Sequence, residues 1–296
     1  MILLNLQLAL QGDLPQPAIT ASPYLGGVLH GAFEHLVRLH TPEVAVELGM
    51  VEGSQQKYYA IYPPPYGWQA ETDQTPLYLG CGVMLFGHVT RHAEQLIPVL
   101  QHWEEIRLAG LSDKVQSVQI YSCIPGDQPR LRTGSQAESV WHQVAPSFDQ
   151  VFTECSGVTL DWLTPLTLAS EGHRRAGVAD AAPTLLRLVR SLVRRIQALE
   201  PALATFLGLG SSVWIEAEES IRHAPAEVHT LESVPWQYGS RTKESPILLN
   251  GLIGQITYRG SIPAPIMALL HWGSWFGAGQ RTTLGHGMYS IKEIIA

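Results

Sequence analysis

Ile2, Leu4, Leu6, Leu8 and Leu10 recur at every second position, with Asn5, Gln7 and Gln11 between them. Period two predicts a half-buried strand over residues 1–11. A loop marked by Pro15, Pro17 and Pro23 follows, and the period then changes. Leu25, Val28, Leu29, Ala32, Phe33, Leu36 and Leu39 fall at helical spacing until Thr41-Pro42 stops the run. Strands are predicted over 57–62, closed by Pro63-Pro64-Pro65, and over 77–86. A helix over 92–108 ends before Gly110, and Val118 and Ile120 mark a strand over 115–123. The order β-α-β-β-α-β is the ferredoxin-like split unit.

The order recurs in the second half. A strand over 157–168 is broken at Pro165, and a strongly amphipathic helix spans 184–199. Residues 213–218 and 228–238 offer strand material. Another strand covers 252–259, a short helix 264–276, and a last strand 287–294. The chain therefore reads as α+β, with two tandem ferredoxin-like (RRM-like) domains over 1–124 and 156–296. The polar, Gly- and Pro-bearing stretch 125–155 is expected to link them.

Composition narrows the class. With 45% hydrophobic and 15% charged residues, the 296-residue chain can bury a large core and is not a disordered polymer. Each apolar run is interrupted before the length a membrane-spanning helix needs. The N-terminus lacks a basic region before its apolar residues, so it makes a poor signal peptide. Cys81, Cys123 and Cys155 form no C-x-x-C pair. Three reduced thiols in a cytoplasmic protein are expected, without a thiolate metal site. The net charge of −7 is unevenly spread. Up to Cys155 there are seven basic and fifteen acidic residues; from Ser156 onward there are twelve and eleven. Lysine is scarce and arginine plentiful, so anion binding should be arginine-based and lie mainly in the second half.

The most informative stretch is Gly273-Ser-Trp-Phe-Gly277-Ala-Gly279-Gln280-Arg281-Thr282-Thr283-Leu-Gly285-His286-Gly287. Its glycines sit between a helix and a strand. They can serve close packing, or they can leave N–H groups free to cradle phosphate oxygens beside Arg281, Thr282 and Thr283. No Gly-Lys-Ser/Thr follows, and the glycines do not open a helix, so neither nucleotide-binding fingerprint applies. Arg187, Arg190 and Arg194 share one face of the 184–199 helix, preceded by Arg174 and Arg175, and form the best basic stripe in the chain. On the first helix, with the apolar face centred on Leu25, Ala32 and Leu36, His30 and Arg38 point away and His35 lies on the flank. His88-x-x-x-His92 has metal-ligand spacing but no third ligand in register, so a surface pair is expected and no metal. Tyr62, Tyr66 and Trp68 surround the triple proline, where aromatics can stack on bases.

Several motifs, in order, resemble one family. Gly251-Leu-Ile-Gly254-Gln-Ile-Thr-Tyr-Arg-Gly260, Leu269-Leu270-His271-Trp272-Gly273 and the glycine loop are similar to the C-terminal signature of the CRISPR-associated endoribonucleases that process precursor CRISPR RNA, members of the RAMP superfamily. Tyr24-Leu-Gly-Gly-Val-Leu-His30-Gly-Ala-Phe33 resembles their first-helix motif, and Gly82-Val-Met-Leu-Phe86-Gly87 the strand end before their second helix. Trp162-Leu163-Thr164-Pro165-Leu166 resembles a further strand, and Leu185 to Leu199 their arginine-bearing helix.

The resemblance implies tandem ferredoxin-like domains with RNA held against the glycine loop and the interdomain surface. It implies cleavage within repeats without metal or other cofactor. The RNA's own 2′-hydroxyl attacks the adjacent phosphate, giving cyclic-phosphate and 5′-hydroxyl ends, and the mature RNA is retained. Such chemistry needs proton-transfer groups, for which histidine is suited, and positive charge on the phosphorane. In several members the histidine lies on or beside the first helix, which points to His40, then His35, then His30. In some the helix opens with a catalytic tyrosine, matched by Tyr24, and Lys57 is the candidate cationic partner. RNA contacts are expected from Gly277, Gly279, Gln280, Arg281, Thr282, Thr283, Gly285 and His286 in the loop, and from Arg38, Arg174, Arg175, Arg187, Arg190 and Arg194. His271 flanks the loop. Partners would be CRISPR repeat RNA, precursor and mature, and other CRISPR effector subunits. His30 stands where the family usually has arginine, and the chain is acidic. These departures favour an alternative, a non-catalytic RAMP subunit that only holds the RNA.

Overall fold

The computed structural model describes residues 1–10, 24–67, 77–105, 115–124, 130–133, 148–168, 182–238 and 247–296. The chain divides into two compact units, Met1–Phe148 and Asp149–Ala296.

In the first unit, β1 (Ile2–Leu10), α1 (Gly26–His40), a short α2 (Pro42–Glu47), β2 (Tyr59–Tyr62), β3 (Leu77–Leu85), α3 (Ala93–Gln101) and β4 (Val115–Cys123) follow in order. A further strand, β5 (Arg130–Thr133), lies inside the stretch expected to be linker and pairs with β4. The antiparallel sheet runs β2-β3-β1-β4-β5, so its first four strands have the ferredoxin-like order. β1 pairs with β3 and β4 along its whole length. It is buried on both faces, not half-buried as its alternation predicts: Asn5 and Gln7 are only 9% and 8% exposed. Leu4, Leu6, Leu8 and Leu10 meet Leu29, Phe33 and Leu36 of α1 and Leu96 and Leu100 of α3 in the core.

The second unit repeats the plan with β6 (Cys155–Leu166), α4 (Leu185–Leu199), α5 (Pro201–Phe206), α6 (Ser212–Ser220), β7 (Ala226–Tyr238), β8 (Ile247–Ile262), α7 (Ala264–Phe276) and β9 (Tyr289–Ile295). The sheet order is β7-β8-β6-β9. Residues 213–218 are helical, contrary to their expected strand character. Ser211 caps that helix by accepting the Trp214 N–H, and Trp214 and Ala217, three apart, form its buried face. In α4, Thr184 accepts the Arg187 N–H, while Leu185, Leu188, Leu192, Ile196 and Leu199 are buried. Gly273 lets α7 approach α4 closely: a Cβ there would sit 2.5 Å from Leu192 Cδ1. Among the described residues, no helix is long and apolar enough to cross a membrane. Cys81, Cys123 and Cys155 are buried and form no disulfide among the described residues.

Candidate functional site

In the first unit the candidates line α1. His30, Glu34 and Arg38 are four residues apart and form one ridge of the helix. Glu34, which the sequence reading passed over, is the hub. Its Oε1 accepts from Lys57 Nζ and from the Tyr59 hydroxyl, and its Oε2 lies 3.3 Å from Arg38 Nη2. Lys57 Nζ also reaches the Tyr59 oxygen at 3.3 Å, and Arg38 donates to the Met50 carbonyl at 2.6 Å. His30 Nε2 is 2.9 Å from the Tyr59 hydroxyl. The one hydroxyl proton of Tyr59 is given to Glu34, so His30 must carry its proton on Nε2 and donate to the Tyr59 oxygen. Its buried Nδ1 is then a bare acceptor without a partner among the described residues.

These bonds fix the charge states. Burial pushes the His30 imidazole down to about 4, against a smaller upward pull from Glu34. His30 is thus a neutral, buried ring. Burial would raise the Glu34 carboxyl, but His30 in its protonated form, with Lys57 and Tyr59, holds it below its ordinary value. The expected orientation of the histidines is reversed. His30 is buried and His35 exposed, because Phe33 and Val37 shift the apolar face toward His30. Tyr24 is buried just before α1, and burial raises its hydroxyl well above the ordinary range. The helix that follows spans about 20 Å at about 1.5 Å per residue, so Tyr24 and His40 cannot meet at one phosphate.

His40 is exposed at the C-terminal end of α1. Thr41 closes that end by donating its N–H to the Val37 carbonyl at 2.8 Å, and Pro42 starts α2. The His40 ring stacks on His102, with centroids 4.0 Å apart and planes 9° from parallel. His102 stands where α3 tightens into a 3₁₀ turn beside the fully buried Trp103. No sequence spacing connects the two histidines; only the packing of α1 and α3 brings them together.

In the second unit the glycine loop is built mostly from backbone. Gly277 donates to Gly273, Ala278 to Gly287, Gly279 to Ser191 Oγ, Gln280 to Thr167, and Gly287 to Pro165. Thr164 Oγ1 donates to the Gly285 carbonyl at 2.7 Å and accepts the Met288 N–H at 2.8 Å. A Cβ at Gly279 would meet the Thr167 carbonyl at 2.2 Å, and one at Gly287 the Ala278 carbonyl at 1.9 Å. Both glycines have φ values that side-chain-bearing residues rarely adopt. So Gly277, Gly279 and Gly287 serve close packing, Gly285 closes the 3₁₀ turn with a left-handed backbone, and the amides of all four are spent inside the protein. The buried His286 belongs to the same packing. Burial, with help from Arg281, pushes its imidazole down to about 3.

The exposed tip differs. Arg281 has a left-handed backbone, φ 58°, and opens a 3₁₀ turn over Thr282–Leu284. The N–H groups of Arg281, Thr282 and Thr283 bond to nothing among the described residues. A left-handed residue followed by right-handed ones aims such consecutive donors into one concavity, a form suited to an anion. Gln280 and Arg281 are exposed beside it.

The arginine stripe of α4 is partly engaged. Arg190 lies 3.8 Å from Glu218 of α6. Arg187 is half-buried and Arg194 exposed. Arg195, adjacent to the stripe, donates to the Phe276 carbonyl at 2.7 Å, where α7 enters the glycine loop. Together with Ser191 it makes α4 the support of the loop. Arg174, Arg175 and Trp68 lie outside the described residues. Tyr62 is buried. His92 is held by Glu47 and Gln95, and His271 packs on Phe152.

The chain is thus two ferredoxin-like units in tandem, the second ending in a glycine loop braced by the Thr164-Pro165 strand. Residues 160–289, within the second unit, match the family model described as CRISPR-associated endoribonuclease Cas6. The family resemblance drawn from the motif series is thereby borne out. Solved structures agree in fold. A Cas6 product complex aligns with a TM-score of 0.56 at 20% identity, covering 99% of this chain and 100% of that one. Thermus thermophilus Cas6 aligns at 0.57 and 17%, covering 98% and 97%. A RAMP protein binding different RNA substrates aligns at 0.52 and 13%, covering 99% and 100%. No curated protein matches the sequence.

Proposed function

We propose that the protein is an endoribonuclease that cuts precursor CRISPR RNA within its repeats and keeps the product. The observation that carries the reading is the exposed tip of the glycine loop. Three consecutive backbone donors with Arg281 beside them suit a ribose-phosphate strand, while every neighbouring loop amide serves the fold. The Cas6 match over 160–289 supports the substrate class. The 2′-hydroxyl attacks the adjacent phosphorus, and imidazole moves the protons, with no metal required. Of the histidines beside α1 the reading favours His40, exposed at the C-terminal end of the helix; His35 is exposed as well, and His30 is buried. His30 and Lys57 are tied into the Glu34 cluster and hold α1 to β2.

Incubation with repeat RNA in EDTA tests the reading. Cleavage to a 2′,3′-cyclic phosphate and a 5′-hydroxyl is expected, with His40→Ala slowing it by about 100-fold or more. Intact RNA would remove the catalytic half. A second reading, RNA holding without cleavage, draws on the net charge of −7 and on the pairing of Arg190 with Glu218. Tight repeat binding that leaves the RNA whole, indifferent to His40→Ala, would select it.

A further inference from the structure

Cleavage by an internal 2′-hydroxyl requires two proton transfers at one phosphorus. The O2′–P bond forms as the 2′-hydroxyl proton leaves to a base. The P–O5′ bond breaks as the departing 5′ oxygen takes a proton from an acid. No water is consumed, and the two transfers balance. A single histidine cannot stand at both oxygens, which lie on opposite sides of the phosphorus in line.

We infer that His102 is the second proton-transfer group, acting as a pair with His40; this rests on the endoribonuclease reading above. Several other titratable groups beside α1 are buried or tied to Glu34. Tyr24 and His30 are buried, the Tyr59 hydroxyl is bonded to Glu34, and Lys57 is held by the same carboxylate. His102 is half-buried and stacked face to face on His40 at 4.0 Å. The 4.0 Å between the ring centroids is comparable with the separation of the attacking and leaving oxygens of one phosphorane.

Both rings are held before any RNA arrives. His40 is fixed by the closure of α1 at Thr41 and Pro42. His102 lies in the 3₁₀ turn beside Trp103, whose side chain is fully buried. Catalysis gains most when the reacting groups need no reorganisation.

The test uses the full-length protein and a repeat RNA with its cleaved linkage made in two forms, the natural one and one with sulfur replacing the bridging 5′ oxygen. Sulfur leaves without protonation, so it relieves loss of the acid and not of the base. His102→Phe and His40→Phe keep a stacking ring but carry no proton. Each should lower the single-turnover rate at saturating RNA by about 100-fold or more while RNA affinity stays within about threefold. The sulfur substrate should restore one of the two variants and leave the other slow. A His102→Phe enzyme as fast as the wild type overturns the inference. So does a loss seen only in RNA affinity, or one relieved by sulfur in neither variant. A wild type inert on both substrates instead removes the endoribonuclease reading, and the inference with it.

Discussion

The α1 flank of the first unit and the glycine loop of the second both gather polar groups, but from different materials. Along α1 the arrangement is made of side chains: one carboxylate satisfies a lysine, an arginine and a tyrosine, and the tyrosine fixes a neutral histidine. In the loop it is made of backbone: glycines remove side chains so that carbonyls and amides can meet, and the three unspent amides come from residues that keep theirs. The first is therefore sensitive to charge and pH. The second is sensitive to volume. A charged cluster can lose a member and relax toward water, whereas a Cβ placed on a carbonyl has nowhere to go.

The largest effect should come from volume. Gly287→Ala puts a methyl 1.9 Å from the Ala278 carbonyl in a left-handed backbone, and about 3 kcal/mol or more should be lost in denaturant unfolding. A variant as stable as the parent would show the loop to be plastic and dissolve the contrast.

Acid comes next. The folded state holds His30 near 4, below histidine's ordinary 6.5, so the unfolded chain binds the proton first. The stability that neutral His30 allows is complete above about 6.5 and is lost as pH falls toward 4, by about 3 kcal/mol. Glu34, also held below its ordinary value, adds loss in the same direction at the lower end. His30→Phe should flatten the unfolding free energy between pH 6.5 and 4 relative to the parent; identical slopes would show that the imidazole is not buried. His286 in the loop has its own low value, about 3, so part of the slope should survive in that variant.

Charge at constant pH follows. Glu34→Ala leaves Lys57 and Arg38 without their carboxylate and the Tyr59 hydroxyl without its acceptor. Lys57 and Arg38 are partly exposed, so about 2 kcal/mol should be lost, less than for a fully buried pair. Glu34→Gln should recover part of it by keeping an acceptor for Tyr59.

The smallest effect concerns RNA. Arg281→Ala should reduce the slope of log affinity against log salt by about 0.7, the share of one phosphate contact on a single strand. Arg190→Ala, which removes a residue already paired with Glu218, should change the slope less. Equal changes would place the α4 stripe on the RNA as firmly as the loop tip.

Much of the fold was legible. The period-two and helical runs located β1, α1, β3, β4, α4 and α7, because each element buries one face and the face imposes its spacing. The second-unit helix over Ser212–Ser220 was not legible as a helix, since its buried face is only Trp214 and Ala217. The motif Thr164-Pro165 could be seen, but not that its hydroxyl and carbonyl clamp residues more than 120 positions away. On α1, the spacing of His30, Glu34 and Arg38 was visible as a possible ridge, while Lys57 and Tyr59 joined it only through the pairing of β2 beside α1.

The amino-acid order by itself determined the two βαββαβ repeats, the glycine loop and the family they resemble, because these depend on local periodicity and on residues that only certain backbones tolerate. Tertiary structure alone decided which histidine is buried and which is exposed, which loop amides are spent, and that His40 meets His102. Those outcomes depend on long-range packing and on competition among hydrogen-bond partners, and neither leaves a spacing in the chain.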